Sequence, residues 1–425
     1  MADSAPLGLP RGSRELLPAA SRRRRALVQG LLGELERWGY EQVETPLVEY
    51  FDVVARGLTE ADREACVRFI DGATGALVTL RADPTPQIAR MLAQRLGGEL
   101  ASDAVQRWCY AADVVRTSGA REPTEGHQVG VELLGDGDAW ADVELVALCD
   151  AALRACGLVD FRIDLAHAQL ARTAIGKLGL ERSVRIAVRD LLARKHTVAL
   201  ARLLAEHGVP PEIAARVASL CDRIGDAQVI ASARSELGTL VEHAHLDALA
   251  GVCEGLGDEI AARLVVDLGE VRGYDYYSGV RVRVWAPGVA RPIVRGGRYD
   301  RLLAGYGCTR AATGFAIDLD ALEQALARVE PRIAARTPAH LVALPNDASA
   351  TLRAKAARLA ARERGAGLRA WVQPASSPVR AEELARDGEA ATLTWIEPRA
   401  GKLALQRRVH DGARWRTEAS WDEDA

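Results

Sequence analysis

No Cys-x-x-Cys pair occurs among the seven cysteines, which stand at positions 66, 109, 149, 156, 221, 253 and 308. An odd, scattered set argues against a disulfide framework and fits a reducing cytosol. The N-terminus lacks a continuous apolar signal core, and no uninterrupted apolar run approaches membrane-spanning length, so a cytoplasmic chain without a membrane span is expected. Charge is nearly balanced, −3 over 425 residues, so no global basic field draws in tRNA or DNA. Nucleotide signatures are missing too. No Gly-x-Gly-x-x-Gly follows a strand-like run, and Gly176-Lys177 is no phosphate loop, because Ala171 occupies the place of its first glycine.

What is present, at 48% hydrophobic and 27% charged residues, is the composition of two or three globular domains. After a Pro- and Gly-marked arm to residue 20, Leu27, Leu31, Leu35 and Trp38 with Val28 and Leu32 predict an amphipathic helix ended by Gly39. The Arg22–Arg25 block at its start reads as a solvated face. Tyr40–Pro46 reads as a strand closed by its proline. Cys149 and Cys156, seven apart on an expected helix, read as packing residues. Residues 170–262 have an almost purely helical pattern broken at Gly208-Val209-Pro210-Pro211, and are expected to form an inserted helical subdomain. His243-Ala244-His245 within it has no accompanying Cys, Asp or Glu at zinc-site spacing and reads as a pair on a helix surface; no metal is expected.

A linker near Arg332–Pro338 leads to a final unit, 338–425. There the pattern predicts a strand (His340–Leu344), a helix (Ala348–Arg364), a strand (Leu368–Gln373), a helix (Pro378–Arg386) and a strand (Thr392–Ile396). A helix-and-loop region over Glu397–Arg408, gathering Arg399, Lys402, Arg407 and Arg408, and an acidic tail complete the expected small α/β module.

Four segments carry side chains suited to a small polar ligand. Leu80-Arg81-Ala82-Asp83-Pro84-Thr85 offers a carboxylate and a hydroxyl two apart, able to accept from an ammonium group. In His127-Gln128-Val129-Gly130-Val131-Glu132-Leu133-Leu134-Gly135, a period of two puts Gln128, Gly130 and Glu132 on one face of a strand. The glycine leaves a gap for close backbone approach, and the glutamate is placed to accept an imidazole N–H. Val271-Arg272-Gly273-Tyr274-Asp275-Tyr276-Tyr277-Ser278-Gly279 crowds three tyrosines and an arginine before the alternating Val280-Arg281-Val282-Arg283-Val284, read as a strand with one apolar and one polar face. The fourth is Arg295-Gly296-Gly297-Arg298-Tyr299-Asp300. Singly, each reads most simply as a turn or a salt-bridged strand residue. Their order and spacing together are specific.

From Pro10 to about Leu322 the sequence resembles the catalytic core of class II, histidyl-type aminoacyl-tRNA synthetases. The Gly12–Pro18 arm, Gly39–Pro46, Arg81–Thr85, His127–Gly135, the tyrosine-rich run, Gly296–Asp300 and Gly314-Phe315-Ala316 occur in family order. The resemblance implies an α+β fold over residues 1–330, a mainly antiparallel sheet flanked by helices, with the helical insert at about 170–262 and a C-terminal module like a reduced anticodon-binding domain. It also implies a histidine pocket of Asp83, Thr85, Gln128, Glu132, Arg272, Tyr276, Tyr277 and Tyr299. Asp83 is one methylene shorter than the family's usual glutamate.

The departures bear on activity. Where the family carries Phe-Arg-x-Glu, ungapped alignment from Gln128 gives Asp113-Val114-Val115-Arg116. A two-residue slip would put Arg116 on the arginine position and Ser118 on the glutamate. In the third motif Ala321 stands where the family has a phosphate-binding arginine. Phosphate grips are charge-assisted hydrogen bonds, and loss of a single preorganised donor costs about 3–4 kcal/mol of transition-state stabilisation.

A pocket kept and an adenylation apparatus lost is similar to the regulatory subunits of ATP phosphoribosyltransferase. Leu80–Arg90 and Arg121-Glu122-Pro123 also resemble that group. The resemblance implies no catalytic residues and no cofactor. It implies histidine as effector, a short catalytic subunit as partner, a homodimer formed through Gly39–Pro46 within a hetero-oligomer, and no tRNA binding. The competing reading is a divergent histidine-activating enzyme, favoured by the C-terminal module; a third, a ligandless scaffold, leaves the polar set of Gln128, Glu132, Arg272 and Tyr277 without a purpose.

Overall fold

The computed structural model describes residues 8–9, 12–58, 60–96, 104–117, 125–272, 276–328, 338–399 and 402–424. Arg121-Glu122-Pro123, Ser118, Gly273-Tyr274-Asp275 and most of the expected linker lie outside them. Two compact units are formed, Met1–Arg332 and Ile333–Ala425.

Along the first unit the strands are β1 (Glu41–Gln42), β2 (Val48–Tyr50), β3 (Arg68–Ile70), β4 (Leu77–Leu80), β5 (Gln106–Val115), β6 (Glu125–Leu134), β7 (Arg162–His167), β8 (Ile224–Gly225), β9 (Leu264–Asp267), β10 (Val280–Trp285), β11 (Val294–Arg298) and β12 (Ala312–Asp318). Nine of them form one sheet in the order β1-β5-β6-β12-β11-β10-β7-β9-β8, while β2, β4 and β3 form a small separate sheet. All neighbours in the large sheet run antiparallel except β1 with β5 and β7 with β9. This is the mainly antiparallel, helix-flanked α+β architecture expected.

Alternation sorts the strands' side chains onto two faces. Val129 and Val131 of β6 and Val280, Val282 and Val284 of β10 join a continuous core with Leu31 and Leu35 of the Pro18–Arg37 helix and Leu145 and Leu148 of the Ala139–Ala155 helix. Gly39, at φ +82°, turns the chain out of the first helix as expected. The insert's helices, including Leu192, Leu200, Leu204 and Val217, pack into this same core, so the insert has no separate core of its own. Its Ile224–Gly225 pair is strand, joined to β9. Cys149 is buried and free in the same cluster.

Several local expectations are corrected. Only Glu41–Gln42 of Tyr40–Pro46 is strand. The Arg22–Arg25 block is not uniformly solvated, since Arg24 is ion-paired with Asp320 and Glu323. Of the histidine pair, His243 is exposed as expected but His245 is half-buried, its ring stacked on buried His167 with centroids 4.2 Å apart. The polar face of β10 is covered as well as the apolar one, with Arg281 only 5% exposed.

In the second unit, β13 (Ala339–Pro345), β14 (Arg369–Ala375), β15 (Thr392–Arg399), β16 (Lys402–His410) and β17 (Trp415–Asp424) form a sheet ordered β14-β13-β15-β16-β17. Helices Ala350–Gly365 and Pro378–Asp387 intervene where the pattern places them, capped by Ser349 and Ser377. The region Glu397–Arg408 is a β-hairpin, not helix and loop, because Leu403 and Leu405 are drawn into the core and β15 pairs with β16 throughout. The expected acidic tail is likewise strand, its backbone laddered onto β16. Among the described residues no helix is long and apolar enough to cross a membrane.

Candidate functional site

The pocket opens on the face of the large sheet opposite the main core, where β5, β6, β12 and β11 lie side by side. Cross-strand register sets Tyr110 of β5 against Gly130 of β6 and Gly130 against Ala316 of β12. One rung on, Glu132 faces Gly314, and Gly314 faces Gly297 of β11. The floor is therefore nearly bare of side chains around one carboxylate.

Glu132 is 1% exposed. Thr85 Oγ1 donates to its Oε1 at 2.6 Å, and the Tyr299 hydroxyl donates to its Oε2. Burial pushes its carboxyl up to about 8; the bonds from Thr85 and Tyr299 pull against that shift, and Asp83 adds to it. A methyl group at Gly314 would lie 1.9 Å from Glu132 Oε2, so the glycine is what lets the carboxylate rest across β12.

Asp83 is placed by helix capping. It is the N-cap of the Pro84–Met91 helix and accepts from the Thr85 N–H at 3.0 Å, which aligns Thr85 with β6. Arg81 secures that turn, donating from Nε to the Asp113 carbonyl at 2.7 Å and from Nη1 to the Thr45 carbonyl at 2.8 Å. Tyr299 is held by its neighbours. Arg298 donates to Asp142 at 2.9 Å and to the Asp138 carbonyl at 2.9 Å, while Asp300 accepts from the Ala312 N–H at 3.0 Å. Half of the Gly-Gly-Arg-Tyr-Asp run is thus scaffold that presents one hydroxyl.

Of the eight residues expected to bind ligand, Asp83, Thr85, Gln128, Glu132, Tyr276, Tyr277 and Tyr299 line this pocket. Arg272 does not. Its backbone N–H and guanidinium are bonded to Glu270, and its side chain is 55% exposed. Arg295 and Phe315, named within their motifs but not among the expected ligand residues, also line the pocket, and Tyr110, which sequence reasoning passed over, lies beneath it. The Tyr110 ring is fully buried under Gly130, where a Cβ would sit 2.5 Å from its hydroxyl oxygen.

At the other end of the pocket Arg116 donates to the Ala82 carbonyl at 2.9 Å. Asp318, also lining it, is held by Arg291 at 2.9 and 3.2 Å and caps the Leu319–Leu326 helix through the Ala321 N–H. Ala321 is fully buried in the core, and Val114 is buried in β5.

The family described as Histidyl-tRNA synthetase matches residues 12–322. An ATP phosphoribosyltransferase regulatory subunit of Anaeromyxobacter dehalogenans is 38% identical over 77% of this chain and 93% of its own length. This chain belongs to the regulatory-subunit family of ATP phosphoribosyltransferase, within the histidyl-tRNA synthetase-like proteins. The member of that name from Moorella thermoacetica is 36% identical over 81% of this chain and 87% of its own length. A solved structure described as an ATP phosphoribosyltransferase regulatory subunit/histidyl-tRNA synthetase, from Bacillus halodurans, shares the fold at TM-score 0.78, covering 93% of this chain and all of that one at 24% identity.

Proposed function

We propose that this chain is the non-catalytic regulatory subunit of an ATP phosphoribosyltransferase, binding histidine in the Glu132 pocket and conferring activation and feedback inhibition on a short catalytic subunit. The observation that carries the reading is Glu132 itself, a buried carboxyl group with a hydroxyl partner on each oxygen, facing a glycine floor. Such a group suits an imidazole N–H, and Asp83 and Gln128 supply acceptors for an ammonium group. Family membership supports the assignment to histidine biosynthesis.

Loss of adenylation is part of the proposal. Where a synthetase needs arginines on the phosphates, this chain has Ala321 in the core, Val114 in β5 and a carboxylate, Asp318, already paired with Arg291. An effector acting through the pocket needs only about 1–3 kcal/mol of coupling between sites. A cytoplasmic homodimer within a hetero-oligomer, with the second unit as a reduced anticodon-binding domain that does not bind tRNA, completes the reading.

The test is phosphoribosyltransferase activity of this chain mixed with the short catalytic subunit, with and without histidine. Activity only in the mixture, falling as histidine is added, is the expected result. Histidine-dependent exchange of pyrophosphate into ATP by this chain alone would sink the proposal in favour of a histidine-activating enzyme.

A further inference from the structure

Among the described residues, one buried cation of the first unit has no carboxylate paired with it. Arg281 lies in β10 with 5% of its surface exposed, and its Nε is sealed from solvent without a hydrogen-bond partner. No ion pair or hydrogen bond joins its guanidinium to another described residue. The carboxylate that acts on it, Glu270, is committed elsewhere: Oε1 accepts from the Arg272 N–H, and Oε2 pairs with Arg283 at 2.7 Å and Arg272 at 3.2 Å. Burial first, then the Arg283 charge, pulls Arg281 down to about 10, with Arg172 acting in the same direction. It is still cationic at neutral pH. A buried charge without a partner is unfavourable, so the surroundings are set up to receive an anion.

Its neighbours in the sheet are small. The residues opposite Arg281 in the ladder are Gly297 on β11 and Ala166 on β7, so neither neighbouring strand raises a bulky side chain beside it. Gly297 has φ +148°, and a Cβ there would stand 2.5 Å from the Val280 carbonyl oxygen and 3.2 Å from Arg281 Cγ. The guanidinium carbon sits 5.4 Å from the Tyr277 ring centroid, and Tyr277 is a wall of the Glu132 pocket. Glu132, Gly314, Gly297 and Arg281 occupy a single rung across β6, β12, β11 and β10. A carboxylate and a guanidinium thus stand at the two ends of a glycine floor.

We propose that Arg281 anchors a second site on this sheet face, for a compact oxyanion bound beside Tyr277. The planar fork of a guanidinium matches carboxylate and phosphate alike. The oxyanion comes either as a free phosphate group or as the carboxylate of an amino acid already held by Glu132. The second source rests on the histidine reading; the first does not.

The experiment uses the full chain and its R281M and R281K variants, followed by thermal unfolding and calorimetry. Inorganic phosphate at 10-fold its dissociation constant, against chloride at equal ionic strength, is expected to raise the unfolding midpoint of the unmodified chain by roughly 1.5–2 °C. R281M should lose that shift and, without phosphate, be no less stable than the parent, because it removes an uncompensated charge. R281K should keep the fold and only part of the shift. If phosphate has no effect, a tenfold or greater loss of histidine affinity in R281M, with imidazole alone bound as before, identifies the ligand's carboxylate as the oxyanion. A phosphate shift retained in R281M overturns the proposal. So does R281M markedly less stable than the parent, or an unmodified chain indifferent to phosphate whose histidine affinity R281M leaves unchanged.

Discussion

Thr85 and Glu132, 47 positions apart in sequence, meet through a 2.6 Å hydrogen bond from hydroxyl to carboxylate beneath the pocket. The bond exists because Asp83 caps one helix and β6 alternates in register with β12. Neither segment makes a site alone.

The protonation of Glu132 makes stability depend on pH in a definite direction. Its carboxyl is raised from 4.5 to about 8, so between those values the folded chain holds a proton that the unfolded chain has released. The contribution is complete below about pH 4.5 and is lost as pH rises towards 8. The unfolding midpoint of the parent should therefore fall more steeply from pH 5 to 8 than that of E132Q, measured by calorimetry without ligand. Equal slopes would contradict the burial of this group.

Substitution of Gly314 by alanine should be more damaging than its size suggests. The added methyl meets Glu132 Oε2 at 1.9 Å and the Val131 carbonyl oxygen at 2.4 Å, forcing the carboxylate off its donors. A loss of about 1–3 kcal/mol of stability is expected, together with at least a tenfold loss of histidine binding by calorimetry. Binding at parental strength would mean that Glu132 does not hold the ligand.

Placing an arginine at position 321, where the synthetase motif has one, should not confer adenylation. Ala321 is fully buried among Leu319, Leu322 and Ala325, so an arginine there must either unpack the helix or bury a charge. A321R should unfold at lower denaturant and show no histidine-dependent pyrophosphate exchange. Exchange activity in a stable A321R protein would show that one residue separates sensor from enzyme.

Asp142 and Arg298 form a buried pair at 2.9 Å. Asp142→Ala leaves the guanidinium without its principal carboxylate and should cost about 3–5 kcal/mol, seen as a lower midpoint in urea. Tyr299 loses its support in the same change, so ligand binding should weaken along with the fold.

Much of this was legible in the sequence. Period-two alternation gave the β6 face carrying Gln128, Gly130 and Glu132, and family order assembled it with Asp83, Thr85 and Tyr299. Other parts depend on cross-strand pairing, which a linear pattern does not specify. Tyr110 belongs beneath the pocket only because its register sets it under Gly130. Arg272 was expected in the pocket, but nearby Glu270 offers it a closer partner. The β15–β16 hairpin was hidden because its arginines, Arg399, Arg407 and Arg408, made a buried-centred strand pair look like a charged loop.

The two donors on Glu132 come from residues 47 and 167 positions away along the chain. Contacts of such sequence separation form only after the intervening loop is closed, which is slow relative to local structure. During synthesis, Thr85 and Glu132 leave the ribosome long before Tyr299, so a nascent chain has no complete pocket. A chain truncated before Tyr299 therefore lacks one of the two donors on Glu132, and a ligand of this pocket gives no help to its folding.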